Sequence, residues 1–187
     1  MKSITRIVVA WVLILFLGGC ATQQPLKSPV YEKETAETCL NRGITYSQKG
    51  EYSKAISDYN KAIAIDPNLT VAYLNRGFTY RQLGEYDKAI SDYSKAIELY
   101  PRYAIAYNNR GYAYRKKGEY DKAISDYSKA IEIDPKYAAA YYNRGMAYFY
   151  KGENDRTWED VNKAKSLGYP VSPEFLKTLR ETSGRQK

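Results

Sequence analysis

A side-chain amide stands beside a guanidinium and a glycine at four places in this chain: Asn41-Arg42-Gly43, Asn75-Arg76-Gly77, Asn109-Arg110-Gly111 and Asn143-Arg144-Gly145, each 34 residues after the last. An asparagine amide offers a donor and an acceptor together, so a row of four can satisfy the main chain of an extended polypeptide without reading its side chains. The same amides can instead bond between neighbouring helices or face water, and spacing alone leaves both uses open. An aspartate follows each arginine by 16 residues, at Asp58, Asp92, Asp126 and Asp160. Opposite charge in every copy predicts a pair, on the energy scale of an exposed one, about 0 to 1 kcal/mol.

The chemistry that is missing matters as much. The chain has no histidine, which removes the usual general base near neutral pH and the commonest metal ligand. Its two cysteines, Cys20 and Cys39, are too few and too far apart for a zinc cluster or a disulfide framework. No phosphate loop and no convergent nucleophile and base can be found, so no catalytic, cofactor or metal residue is assigned and a non-enzymatic role is expected. The formal charge of +8 suggests nucleic acid, but the basic residues alternate with acids, as in "YDKAISDYSKAIE", which is the pattern of a solvated helix face. No nucleic-acid partner is expected.

Some element must repeat to carry these residues. Aligning on the glycines gives frames 36–69, 70–103, 104–137 and 138–171, each with apolar residues at helical spacing twice over, interrupted by Gly50, Gly84, Gly118 or Gly152 and in three cases closed by Pro67, Pro101 or Pro135. Glycine suits a helix end and proline a stop, so each frame reads as two helices, A and B, with a tight turn. Gly111 sits inside helix A although a mid-helix glycine costs about 1 kcal/mol relative to alanine. The expected reason is close approach of A to B, with Ala123 opposite. Thirteen of the 21 tyrosines fall at the fourth, eleventh, seventeenth and twenty-fourth places of the frames. They are expected in the core, where Tyr114→Ala would cost roughly 3 to 5 kcal/mol.

A 34-residue period of helix, turn and helix, with tyrosine, glycine, tyrosine, alanine, tyrosine and alanine at places 4, 8, 11, 20, 24 and 27, resembles the tetratricopeptide repeat. The resemblance implies an all-α, right-handed superhelix (an α-solenoid) of four hairpins over residues 35–171, closed by a capping helix and tail at 172–187. "SPEFLKTLRET" fits the cap, with Ser172 at the N-cap and Pro173 at the first helical position. The resemblance also implies a concave surface lined by the A helices, and the places that face it carry the difference between repeats. On that basis the candidate peptide-binding residues are Asn41, Asn75, Asn109, Asn143, Phe78, Tyr112, Arg81, Arg115, Lys116, Tyr142 and Phe149. Arg81, Arg115 and Lys116 favour an acidic partner segment. The family's clamp for carboxyl-terminal peptides uses Lys and Arg at the second, fifth and sixth places, whereas this chain has Glu37, Val71, Ile105 and Ala139 at the second and asparagine at the sixth, so that mode is not expected.

The first residues read as an address. "MKSITRIVVAWVLILFLGGC" has a basic start, an apolar run too short to span a bilayer, and then small residues, which fits a secretory signal at 1–19. Leu17-Gly18-Gly19-Cys20 resembles the lipobox of bacterial lipoproteins, which implies lipidation of Cys20, cleavage before it, and, with Ala21 next, passage to the outer membrane facing the periplasm. Ordinary cleavage nearby or an uncleaved anchor are the alternatives. Residues 20–34, with Pro25 and Pro29 among polar residues, read as a flexible tether. The expectation is a lipid-anchored scaffold holding a protein segment at the envelope; the alternatives are a self-associating structural protein and, with less support, an enzyme.

Overall fold

The computed structural model describes residues 34–184. The signal 1–19, the lipidation candidate Cys20, nearly all of the 20–34 tether and the last three residues lie outside the described residues. Among the described residues there are nine helices and no strand: α1 (Ala36–Gln48), α2 (Tyr52–Ile65), α3 (Thr70–Gln82), α4 (Tyr86–Leu99), α5 (Ala104–Lys116), α6 (Tyr120–Ile133), α7 (Ala138–Tyr150), α8 (Asn154–Ser166) and α9 (Pro173–Ser183). The A helices are therefore α1, α3, α5 and α7, and the B helices α2, α4, α6 and α8.

Each A helix ends the same way because its next residue but one is a glycine with positive φ, between 76 and 78° at Gly50, Gly84, Gly118 and Gly152. In the first hairpin the Glu51 amide donates to the Tyr46 carbonyl at 2.9 Å and the Gly50 amide to Ser47 at 3.1 Å, the paired bonds that close a helix with a left-handed residue. That turn reverses the chain within three residues. Helix B then lies along helix A, and the next A helix lies along that B helix. Consecutive A helices also touch one another, at α1 with α3, α3 with α5 and α5 with α7, and no pair of B helices comes as close. The A helices thus form the inner side of the stack.

The glycine inside each A helix has a more specific cause than close approach of two backbones. A Cβ at Gly43, Gly77 or Gly111 would lie 2.6, 2.9 and 2.9 Å from a ring carbon of Tyr59, Tyr93 and Tyr127. The tyrosine ring of helix B is thus the nearest group to the glycine, and in the third repeat the Ala123 carbonyl stands further off at 3.2 Å. Those three tyrosines, at the twenty-fourth place, are fully buried with the alanines around them. The tyrosines at the fourth, eleventh and seventeenth places are only half-buried, contrary to the expectation that all thirteen form the core. Those at the fourth and eleventh places meet cations instead: the guanidinium carbons of Arg76, Arg110 and Arg144 lie 5.6 to 5.8 Å from the rings of Tyr73, Tyr107 and Tyr141, and Lys54, Lys88 and Lys122 reach the rings of Tyr46, Tyr80 and Tyr114.

Helix α9 occupies the place of a fifth A helix. Its Ser172 hydroxyl accepts from the Phe175 amide at the N-cap and Pro173 opens the first turn. At the place where every earlier A helix has glycine it carries Leu179, fully buried. No B helix follows it within the described residues to press a ring against that spot, so bulk is allowed.

Candidate functional site

The four recurring arginines are structural. Arg42, Arg76, Arg110 and Arg144 each donate Nε and Nη2 to the two carboxylate oxygens of Asp58, Asp92, Asp126 and Asp160 at 2.6 to 2.8 Å. The aspartate side chains are nearly sealed from water, at 4 to 8% exposed, so these are not the exposed pairs expected from spacing. Three of the arginines also reach backwards with Nη1, to Asn60 at 2.5 Å, Ser94 at 3.0 Å and Ser128 at 2.9 Å on the preceding B helix. One guanidinium thus fixes its own hairpin and docks that hairpin on the previous one. Helix α1 has no preceding hairpin among the described residues, and Arg42 bonds Glu34 instead.

The asparagines of the sixth place do not form a uniform ladder. Asn41 is exposed and the other three are half-buried. The Asn75 amide donates to the Val71 carbonyl one turn back at 2.8 Å, and the Asn143 amide donates to Asn108 Oδ1 on the adjacent A helix at 2.9 Å. Asn109 makes no side-chain hydrogen bond among the described residues. Both local uses left open by the spacing therefore occur, yet each bonded amide keeps one N–H and its carbonyl oxygen, and Asn109 keeps all of its capacity.

The C-terminal halves of α3, α5 and α7 bring a second set together. Arg81 Cζ lies 4.5 Å from the centre of the Phe78 ring on its own helix and 4.9 Å from that of Tyr112 on the next. Arg115 Cζ repeats the arrangement one hairpin later, 5.1 Å from Tyr112 and 5.9 Å from Tyr150, and Lys116 Nζ also lies over Tyr112 at 5.7 Å. Rings and cations so alternate across three helices. Neither Arg81 nor Arg115 has an acidic partner among the described residues, whereas Phe78 is 37% and Tyr150 52% exposed. Towards the N-terminal ends of the same helices Val71 and Ile105 are exposed too, which adds an apolar lane beside the cationic one.

Tyr142 and Phe149, expected in the same groove, are largely taken by the cap. Tyr142 stacks on Tyr169 at 4.6 Å and meets the edge of Phe175 at 6.0 Å, and Phe149 meets Phe175 at 5.4 Å. Two inward places of the repeat that are not among the candidate binding residues belong to the same surface: Tyr150, which stacks on Tyr120 at 5.6 Å and extends the ladder, and Asn108, a buried amide where α1 and α3 carry leucine. The departure of Asn108 from the leucine of its siblings was the available signal.

Models of the tetratricopeptide repeat match residues 36–69, 70–103 and 93–125, and a TPR-repeat model matches 111–152. A crystal structure of MamA is 36% identical over 71% of this chain and 77% of its own, with a TM-score of 0.68. The chain belongs to the tetratricopeptide-repeat family. The first TPR domain of Spaghetti (RPAP3), solved bound to the HSP90 peptide SRMEEVD, is 29% identical over 61% of this chain and 90% of its own, with a TM-score of 0.60. The Arabidopsis OM64 TPR domain, 23% identical over 61% of this chain and 94% of its own with a TM-score of 0.60, shares the fold. Comparison with curated proteins gives no match. Tetratricopeptide stacks are protein-interaction scaffolds, and this stack has the unpaired inner surface that such a role needs.

Proposed function

We propose that this protein is an exported adaptor, anchored by lipid at Cys20, that holds an extended acidic segment of another protein along its inner face at the bacterial envelope. Such a device assists assembly of an envelope complex, such as a pilus or secretion apparatus, or delivers substrates to envelope enzymes. The observation that carries the binding part is the ladder Phe78, Arg81, Tyr112, Arg115 and Tyr150, which leaves cations without acids among rings of which Phe78 and Tyr150 are exposed. Elsewhere most charges are matched within the molecule, as in the four Arg–Asp pairs with their nearly sealed carboxylates, whereas here two guanidiniums lie against one ring without an acid. The acidic peptide held by the Spaghetti domain supports a partner of the same charge. Asn109, with an unused amide, serves the partner's main chain, and Val71, Ile105 and Phe78 take its apolar side chains.

The test is a photoreactive residue placed at Tyr112, with a second at Glu98 on the outer side as the control. A discrete crosslinked partner from Tyr112, absent from Glu98 and lost on adding an acidic competitor peptide, is the expected result; equal capture from both positions removes the groove from consideration. Anchoring is checked separately by the mass of the mature N-terminus. A free Cys20 thiol there excludes the lipid.

A further inference from the structure

In the first hairpin the Tyr59 hydroxyl sits beside Ser47 and Thr79, which bond each other at 3.2 Å. The second and third hairpins keep the tyrosine and change both companions. Arg81 and Arg115 stand where Ser47 stood, and Ala113 and Ala147 stand where Thr79 stood. Tyr93 and Tyr127 are fully buried; the Tyr127 hydroxyl lies within reach of the Arg115 side chain, the Tyr93 hydroxyl has the charge of Arg81 beside it, and the sealed Nε of both arginines has no partner among the described residues. Burial pushes both hydroxyls well above the ordinary tyrosine range, with the charge of Arg81 and of Arg115 opposing the shift, so both phenols are neutral donors at physiological pH. A sealed donor left unpaired is expensive, and with Nε sealed each of these two guanidiniums has only its Nη groups open to a partner.

Building on the adaptor reading above, we infer that the Nη groups of Arg81 and Arg115, both packed against Tyr112, form a pair of carboxylate subsites for an extended partner segment with acidic residues at alternate positions. The geometry fixes the spacing. Both guanidinium carbons lie close to the same ring, 4.9 and 5.1 Å from its centre, so they are no more than about 10 Å apart, the limit set when the ring lies directly between them. Alternate residues of an extended chain are about 7 Å apart and point the same way, which lets two carboxylates reach both forks. Adjacent residues point to opposite faces and cannot. The rings on either side hold each guanidinium in place before binding, which limits the ordering cost, and exclude water from the contact. Repeat 1, with serine, and repeat 4, with Phe149 under the cap, lack the subsite, so the pair is confined to the middle of the stack.

The experiment titrates the full chain in detergent with three acetylated nine-residue Gly/Ser peptides, carrying Glu-Ser-Glu, Glu-Glu or Gln-Ser-Gln at their centre, followed by calorimetry at low salt. Glu-Ser-Glu is expected to bind at least about tenfold more tightly than Gln-Ser-Gln, the scale of one charge-assisted contact, and more tightly than Glu-Glu. Arg81→Gln and Arg115→Gln should each remove about threefold to tenfold of that difference, and the double variant all of it, with helicity unchanged. Equal binding of the three peptides, no saturation by Glu-Ser-Glu at about 1 mM, persistence of the preference in the double variant, or displacement by equimolar inorganic phosphate each overturns the paired subsites. Failure here with the Tyr112 crosslink still formed sinks the carboxylate pair alone; loss of both sinks the groove.

Discussion

At the scale of single residues, the molecule depends on a ring lying on a glycine. Gly111→Ala forces a methyl to within 2.9 Å of the Tyr127 ring and 3.2 Å of the Ala123 carbonyl, neither of which can move without displacing helix α6. The substitution should destabilise by about 1 to 3 kcal/mol, as overpacking does, even though alanine is the better helix former. Gly145 differs because the fourth repeat has Val161 in place of the tyrosine, and the nearest atoms, Asp160 Cβ and Val161 Cγ2, stand at 3.2 Å. A valine methyl can yield by a few tenths of an ångström, so Gly145→Ala should fall within about 1 kcal/mol of wild type, with the helix-propensity gain offsetting the strain. Urea midpoints of the two variants decide the matter, and equal losses would show that backbone approach, not the ring, sets the requirement. The recurrence of glycine was plain in the sequence; its cause was not, because four tyrosine places share one helical period and only the fold shows which of them faces the glycine. For the same reason the large truncation penalty belongs to Tyr127, with Tyr114 half-exposed under Lys122.

At the scale of helices, the hairpins and turns were legible because each depends on local backbone needs, a left-handed residue after helix A and a stop after helix B. The Arg–Asp link was legible as a pairing because it recurs, but its burial was hidden, since depth depends on how the next hairpin docks. Asp126→Asn removes one charge of a nearly sealed pair and leaves Arg110, whose side chain is 20% exposed, without a carboxylate. The expected loss is about 2 to 3 kcal/mol, below the 3 to 5 of a fully buried pair. Asp58→Asn should cost only about 1 kcal/mol, because Arg42 is 41% exposed and can turn to water and Glu34. Thermal denaturation of the two variants measures the gradient, and its reversal would refute the link between docking and burial. Acid should act on the first pair too. Hydrogen bonding from Arg42 holds Asp58 below the ordinary aspartate range, so the unfolded chain binds the proton first and stability is lost as pH falls through the depressed value. Hydrogen exchange below about pH 4 should show α1 and α2 losing protection as Asp58 titrates; an acid loss left unchanged in Asp58→Asn would contradict the assignment.

At the scale of the whole stack, stability is a sum of hairpins and the contacts between neighbours, and the ends are where that sum is most exposed. The cap was legible as a helix from its N-cap serine, proline and apolar face, but what it would cover was not, and this is why Tyr142 and Phe149 were read as groove. Docking of α9 decides it: Phe175 meets both rings, Leu179 is buried, Trp158 Nε1 donates to the Ser183 hydroxyl at 3.1 Å, and the Asn154 amide donates to the Thr182 carbonyl at 3.2 Å. Deleting residues 172–187 uncovers those partners on α7 and α8 together. Because contacts in a stack run only to nearest neighbours, the loss should appear in exchange protection of α7 and α8 first, fall off through α5 and α6, and leave α1 and α2 near their original level. The groove should respond in proportion: the subsite at Arg115, which leans on Tyr150 of α7, should weaken with the last hairpin, while the one at Arg81, framed by α3 and α5, should hold its carboxylate. A uniform fall in protection along all eight remaining helices would mean that the chain unfolds as one unit, and would take with it the expectation that the two subsites can be disabled one at a time.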